Sequence, residues 1–109
     1  MILVSIVLLS FKNYSENYTA TWYDLHGRTT ASGEIMDRNK PTAACNSLPL
    51  GTKVLVTNIE NNKQVVVTIT DRMGIKKSNR IDLSYRAFGI IAKRKIGRIK
   101  VLINILQKK

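Results

Sequence analysis

One histidine, His26, and one cysteine, Cys45, set the first limits on the chemistry open to this chain. A lone imidazole rules out a His-rich metal site and any mechanism that needs two imidazoles. A lone thiol can form neither an internal disulfide nor a zinc cluster of the CxxC kind. No metal and no cofactor are expected. Cys45 is a candidate nucleophile only if a base lowers its pKa, and His26, nineteen positions earlier in a loop-like stretch, is not an evident partner. A small buried thiol is the other reading of the same residue.

Acids are few: seven Asp and Glu stand against 18 Lys and Arg, for a formal net charge of +11. From Arg72 to Lys109 the only acid is Asp82, so one basic face is expected. Such a charge attracts an anionic partner, whether nucleic acid, anionic lipid headgroups or the acidic polymers of a cell wall, or else simply solvates the surface. No recognised DNA- or RNA-binding motif accompanies it, so no specific nucleic acid is expected and an anionic envelope surface stays open. The 109 residues suffice for one hydrophobic core and not for two.

The elements that must position these residues can be read from periodicity. Ile2 to Phe11 is an apolar run of about half the length needed to cross a bilayer, followed by a polar stretch to Asn17. We read residues 1–17 as a truncated, signal-like segment and linker, with no cysteine after the run to carry a lipid, and residues 18–107 as the folded domain. Tyr18 to Tyr23, rich in Thr and aromatic residues, reads as a strand, and Asp24 to Glu34 as an irregular loop with two glycines. Lys53 to Ile59 and Gln64 to Thr70 are β-branched runs around a turn at Glu60 to Lys63, hence a hairpin. Neither face of this hairpin is strongly polar, as expected in a closed barrel. Ser84 can cap a helix running to Lys93, with Lys93 to Lys95 at its C-terminus, and after Gly97 a closing strand spans Arg98 to Leu106.

Three segments carry a resemblance: TWYDLHGRTTASGE at Thr21 to Glu34, TAACNSLPLGTKVLVTN at Thr42 to Asn58, and VTITDRMGIKKSNRIDLS at Val67 to Ser84. In order and spacing they resemble the signature of the rare lipoprotein A family, over about Tyr18 to Leu106. The resemblance implies a mostly β fold, a small six-stranded double-psi β-barrel with one or two short helices. It also implies a lytic transglycosylase of the cell envelope, periplasmic or secreted and monomeric, acting on peptidoglycan glycan strands. Such enzymes cleave the β-1,4 bond between N-acetylmuramic acid and N-acetylglucosamine and leave an anhydro sugar end. One carboxyl group can serve that reaction, first as acid to the leaving oxygen and then as base to the sugar's own hydroxyl.

By the resemblance that carboxyl is Asp71, with Glu34 as a second, and Tyr23, Thr30, Cys45, Arg72, Arg80 and Asp82 as substrate contacts. Alternatives exist: an ion pair of Asp71 with Arg72 or Arg80, a loop-capping bond for Glu34, and a core position for Trp22, with Tyr23 the more exposed of the two aromatics. The chain departs from the family pattern where TAAC stands for TAAH, placing Cys45 at the histidine, and where Met73 and Gly74 stand for the GP of DRGP. A thiol cannot reproduce an imidazole's charge or its two donors. A glycan-binding barrel with impaired catalysis is therefore the competing reading. His26 is expected to be a surface or hydrogen-bonded loop residue.

Overall fold

A computed structural model describes residues 15–76 and 78–107. The signal-like run expected at the N-terminus lies outside the described residues, and no helix among those described is long and apolar enough to cross a membrane. The strands are β1 (Ser15–Tyr23), β2 (Thr42–Cys45), β3 (Lys53–Asn58), β4 (Gln64–Asp71), β5 (Arg80–Ser84) and β6 (Ile99–Gln107). One helix, α1 (Tyr85–Ile91), and a 3-10 turn at Arg94–Ile96 lie between β5 and β6.

The strands close into a barrel in the order β1-β5-β2-β4-β3-β6. β1 with β5 and β2 with β4 run parallel, whereas the other neighbours are antiparallel. β1 begins at Ser15, ahead of the expected Tyr18, because Ser15, Glu16 and Asn17 pair with Asn104, Ile103 and Leu102 of β6.

Alternation along the strands fills the interior. In β3, Val54, Val56 and Asn58 are buried while the residues between them are not. Val54 and Val56 with Val67, Ile69, Ile81, Leu83 and Val101 form the core, which α1 closes at one end through Ala87, Phe88 and Ile91. Each Val, Leu, Ile or Phe side chain among them taken fully out of water contributes about 1.5–3 kcal/mol. The expected hairpin is β3 and β4, paired from Lys53↔Thr68 to Thr57↔Gln64.

The helix begins as expected: the Ser84 hydroxyl accepts from the Ala87 N–H at 3.2 Å. It ends at Ile91 rather than Lys93, because one side chain at the end of β3 and one in the turn after it take its last carbonyl. Asn58 Nδ2 and Asn61 Nδ2 donate to the Ile91 oxygen at 2.8 and 3.0 Å. The cations expected at the helix C-terminus lie beyond it. Arg94 folds back instead, donating Nε–H to the Tyr85 carbonyl at 2.7 Å with its guanidinium 3.5 Å from the Tyr85 ring centre. Gly89 leaves room for that guanidinium, since a Cβ there would lie 2.1 Å from a terminal Arg94 nitrogen. Trp22 packs against the core and donates Nε1–H to the Arg94 carbonyl at 2.9 Å.

Candidate active site

Four neighbouring strands bring one rung of residues into line. Thr21 on β1 pairs with Asp82 on β5, Asp82 with Ala44 on β2, and Ala44 with Asp71 on β4. Partners directly opposite share a face, so two carboxylates flank a methyl group on the outer surface of the barrel. The last link depends on an irregularity: Ala43 pairs with Ile69 but Ala44 with Asp71, so Thr70 is an extra residue in β4. With strict alternation, Asp71 would follow Ile69 into the core. The bulge reverses its parity and turns it outward.

Asp71 is half-buried and in no ion pair among the described residues. Its Oδ1 accepts the N–H of Ala31 at 3.0 Å and that of Arg72 at 2.9 Å, while Oδ2 accepts no bond among the described residues. The Arg72 guanidinium points elsewhere, donating from Nη1 to the Cys45 and Leu48 carbonyls, each at 2.6 Å. The ion-pair alternative for Asp71 is therefore not what the geometry shows.

Beside this rung lies an open cleft of about 390 Å³ whose lining includes Thr21, Tyr23, Ala44, Arg72, Arg80 and Asp82. Asp82 Oδ1 accepts the Thr21 hydroxyl at 2.8 Å. Burial raises its pKa, against the opposing effects of that hydrogen bond and of Arg80. The Tyr23 phenol is pushed well above its ordinary value, first by burial and then by the charges of Asp71 and Asp82. Its hydroxyl is buried without a hydrogen-bond partner among the described residues, and so is Arg80 Nε. One wall of the cleft is the loop after β4, fixed by Asn46, whose Oδ1 accepts the Met73 N–H at 2.8 Å and whose Nδ2 donates to the Ile75 carbonyl. Asn46, Thr21 and Ala44 were not anticipated from sequence, although all three fall within or beside the matching blocks.

Of the expected site residues, Tyr23, Arg72, Arg80 and Asp82 line the cleft and Asp71 sits at the end of its rung. Glu34 does not line it. Exposed on the 24–34 loop, Glu34 borders a neighbouring depression with Ala31, Ser32, Thr68 and Thr70. Its backbone closes the loop, the Glu34 carbonyl accepting both the N–H and the hydroxyl of Thr30 at 2.8 Å. Gly33 makes that tight closure at φ 88°, a conformation favouring glycine.

Two expected contacts are corrected by burial. Thr30 is buried with its hydroxyl committed to Glu34 and Ser32, so it shapes the loop rather than facing a ligand. Cys45 is fully buried opposite Ile81, its Sγ 3.4 Å from the Ser47 hydroxyl. Alternation alone decides this, because Ala44 takes the outward position on β2 and Cys45 the inward one. A thiol sealed in the core is available neither to substrate nor as a nucleophile. His26 is exposed, its Nδ1 accepting the Arg38 N–H at 3.2 Å, as expected of a loop histidine.

A family model described as lytic transglycolase matches residues 15–103. The chain belongs to this family. The endolytic peptidoglycan transglycosylase RlpA of Rickettsia felis is 41% identical over 102 residues, covering 89% of this chain and 45% of that protein. Its namesake in Vibrio cholerae is 38% identical over 97 residues, 87% of this chain and 37% of the relative. The chain thus spans less than half the length of these relatives. Among solved structures, the Streptomyces papain inhibitor superposes with a TM-score of 0.75 at 19% identity, covering 86% of this chain and 96% of that one. A Clavibacter michiganensis expansin, solved with cellohexaose, gives 0.70 at 19% identity over 86% of this chain and 51% of its own. The architecture is the double-psi β-barrel implied by the resemblance to the rare lipoprotein A family.

Proposed function

We propose that this chain is the glycan-cleaving domain of an endolytic peptidoglycan lytic transglycosylase. It acts as a monomer in the cell envelope, in the periplasm or after secretion, without a cofactor. One observation carries the reading: Asp71, a strand-end carboxylate turned outward by a bulge and engaged by backbone N–H groups rather than by a cation, stands one residue before Arg72 in the lining of a cleft that holds the desolvated Asp82. The names of the full-length relatives support the substrate class.

In this mechanism Asp71 gives its proton to the oxygen linking N-acetylmuramic acid to N-acetylglucosamine as the bond to the anomeric carbon breaks. The resulting carboxylate takes a proton from a hydroxyl of the same muramic sugar, and that oxygen closes on the anomeric carbon. No water is consumed and Asp71 regains its starting state. Tyr23, Arg72, Arg80 and Asp82 bind sugar hydroxyl and N-acetyl groups, and the Tyr23 hydroxyl and Arg80 Nε, without partners among the described residues, gain them when the cleft fills. Glu34 contributes from the adjoining loop, at the edge of the strand rather than at the broken bond.

A glycan-binding module is favoured by one observation, the core-facing thiol of Cys45 where the family carries histidine. Digestion of purified sacculi distinguishes the two. Anhydro-ended fragments, detected by mass and reduced a hundredfold or more in Asp71→Asn while sedimentation with sacculi persists, are the expected result. Sedimentation without fragments from the unaltered protein leaves only the binding module.

A further inference from the structure

A second surface, on the far side of the barrel, carries features that glycan cleavage does not use. Two hollows, of about 420 and 350 Å³, flank Ile96 where the β3–β4 turn meets the start of β6. Ile96 and Ile59 stand 56% and 46% exposed there, both lining the smaller hollow. Around them are Lys63 and Lys93 on one side and Arg98 and Lys100 on the other, all exposed, with Glu60 the one acid in either lining. Lone exposed isoleucines need no explanation, but two side by side within a collar of cations match an interface that is apolar below and anionic above.

We infer that this surface docks on an anionic lipid bilayer, with Ile59 and Ile96 entering the headgroup region and the four cations facing lipid phosphates. Charge complementarity and the apolar pair together select this occupant. A soluble polyanion would use the cations alone and gain nothing from the isoleucines. The topology makes the placement useful. In the barrel order, β3 and β6 lie across from β5 and β2, which carry Asp82 and Ala44. β4 begins beside Lys63 and ends at Asp71, seven residue steps or roughly 23 Å away. A bilayer against Ile59 and Ile96 therefore leaves the cleft facing away from the lipid. The inference does not depend on turnover and is tested without it.

The test is sedimentation of the full chain with vesicles of phosphatidylcholine alone or mixed with phosphatidylglycerol, at low and high salt. All variants keep the N-terminal apolar run, so differences among them report the patch. We expect anionic vesicles to bind more protein than neutral ones, with the excess removed by salt. Ile59→Ser with Ile96→Ser should weaken anionic-vesicle binding about tenfold while leaving binding to a soluble polyanion such as heparin unchanged. Lys93→Glu with Arg98→Glu should weaken both by tenfold or more, whereas Lys53→Glu with Lys76→Glu, an equal charge change away from the patch, should have the smaller effect. Unchanged vesicle binding in the isoleucine variant, or equal losses from the two charge variants, overturns the inference. The first outcome would reduce the surface to a polyanion site, and the second to net charge.

Discussion

Two places where the barrel exposes polar groups to apolar surroundings behave in opposite ways. At the ends of α1 side chains meet the exposed backbone groups: Asn58 and Asn61 both reach the Ile91 carbonyl, and Ser84 bonds the Ala87 N–H, the Thr42 N–H and the Lys40 carbonyl. At the cleft, demands are left open. Among the described residues the Tyr23 hydroxyl and Arg80 Nε are buried without partners and Asp71 keeps one oxygen unbonded, while Asp82 is desolvated. An unsatisfied buried polar group costs about 1–3 kcal/mol, and although Thr52 Oγ1 and Arg38 Nε are further single cases elsewhere, the pairing of two such groups with a desolvated carboxylate at one cleft marks where a ligand would supply what the fold does not.

Substitutions on the two sides should separate accordingly. The largest effect is that of Asp71→Asn, a loss of a hundredfold or more in fragment release with little change in melting temperature. A parallel fall in stability would make Asp71 a structural residue and blur the contrast. Asn58→Ala should do the reverse, costing about 2 kcal/mol in denaturant unfolding because a buried side chain loses its bonds to the Ile91 carbonyl and the Glu60 N–H. Fragment release per folded molecule should stay within about twofold. Ser84→Ala should cost about 1–2 kcal/mol by the same measurement, as a cap with two further partners.

Asp82→Asn sharpens the comparison through pH. Burial raises the Asp82 pKa, so the charged form is penalised in the folded state. The aspartate's unfavourable contribution is absent below its unfolded value of 3.8 and develops as pH rises through the higher folded value. The amide variant should therefore melt at a higher temperature at pH 7, with the difference vanishing near pH 3.5. A constant difference across that range would assign the effect to packing. The smallest effect belongs to Tyr23→Phe, which removes an unpartnered hydroxyl. Stability should hold or rise by up to about 1 kcal/mol while affinity for sacculi falls. A destabilised variant would show that the hydroxyl has a partner in solution.

Local features were legible in the sequence because local physics determines them. The β3–β4 hairpin, the Ser84 cap, the closing strand and the inward Trp22 follow from alternation, turn residues and capping. The end of α1 was not legible, because the side chains that claim the Ile91 carbonyl come from the end of β3 and the turn after it, about thirty residues away. β2 was not assigned, since TAAC is short and its partners on β4 and β5 are remote. Four residues named as substrate contacts do line one cleft, and their chemical roles rest on the proposal above. Thr30 and Cys45 were misplaced because a loop threonine reads as exposed, and because matching a motif position says nothing about which way its side chain points.

The extra residue at Thr70 has a meaning beyond the shape of β4. Before it, inward and outward places follow one count along the chain, and after it they follow the other. Whether position 71 meets solvent or core is thus settled by arithmetic rather than by affinity for water. Flattening the bulge with every residue kept would send the carboxylate inward and silence the proposed chemistry without replacing any group that performs it, whereas deleting Thr70 itself would remove the irregularity and leave position 71 outward.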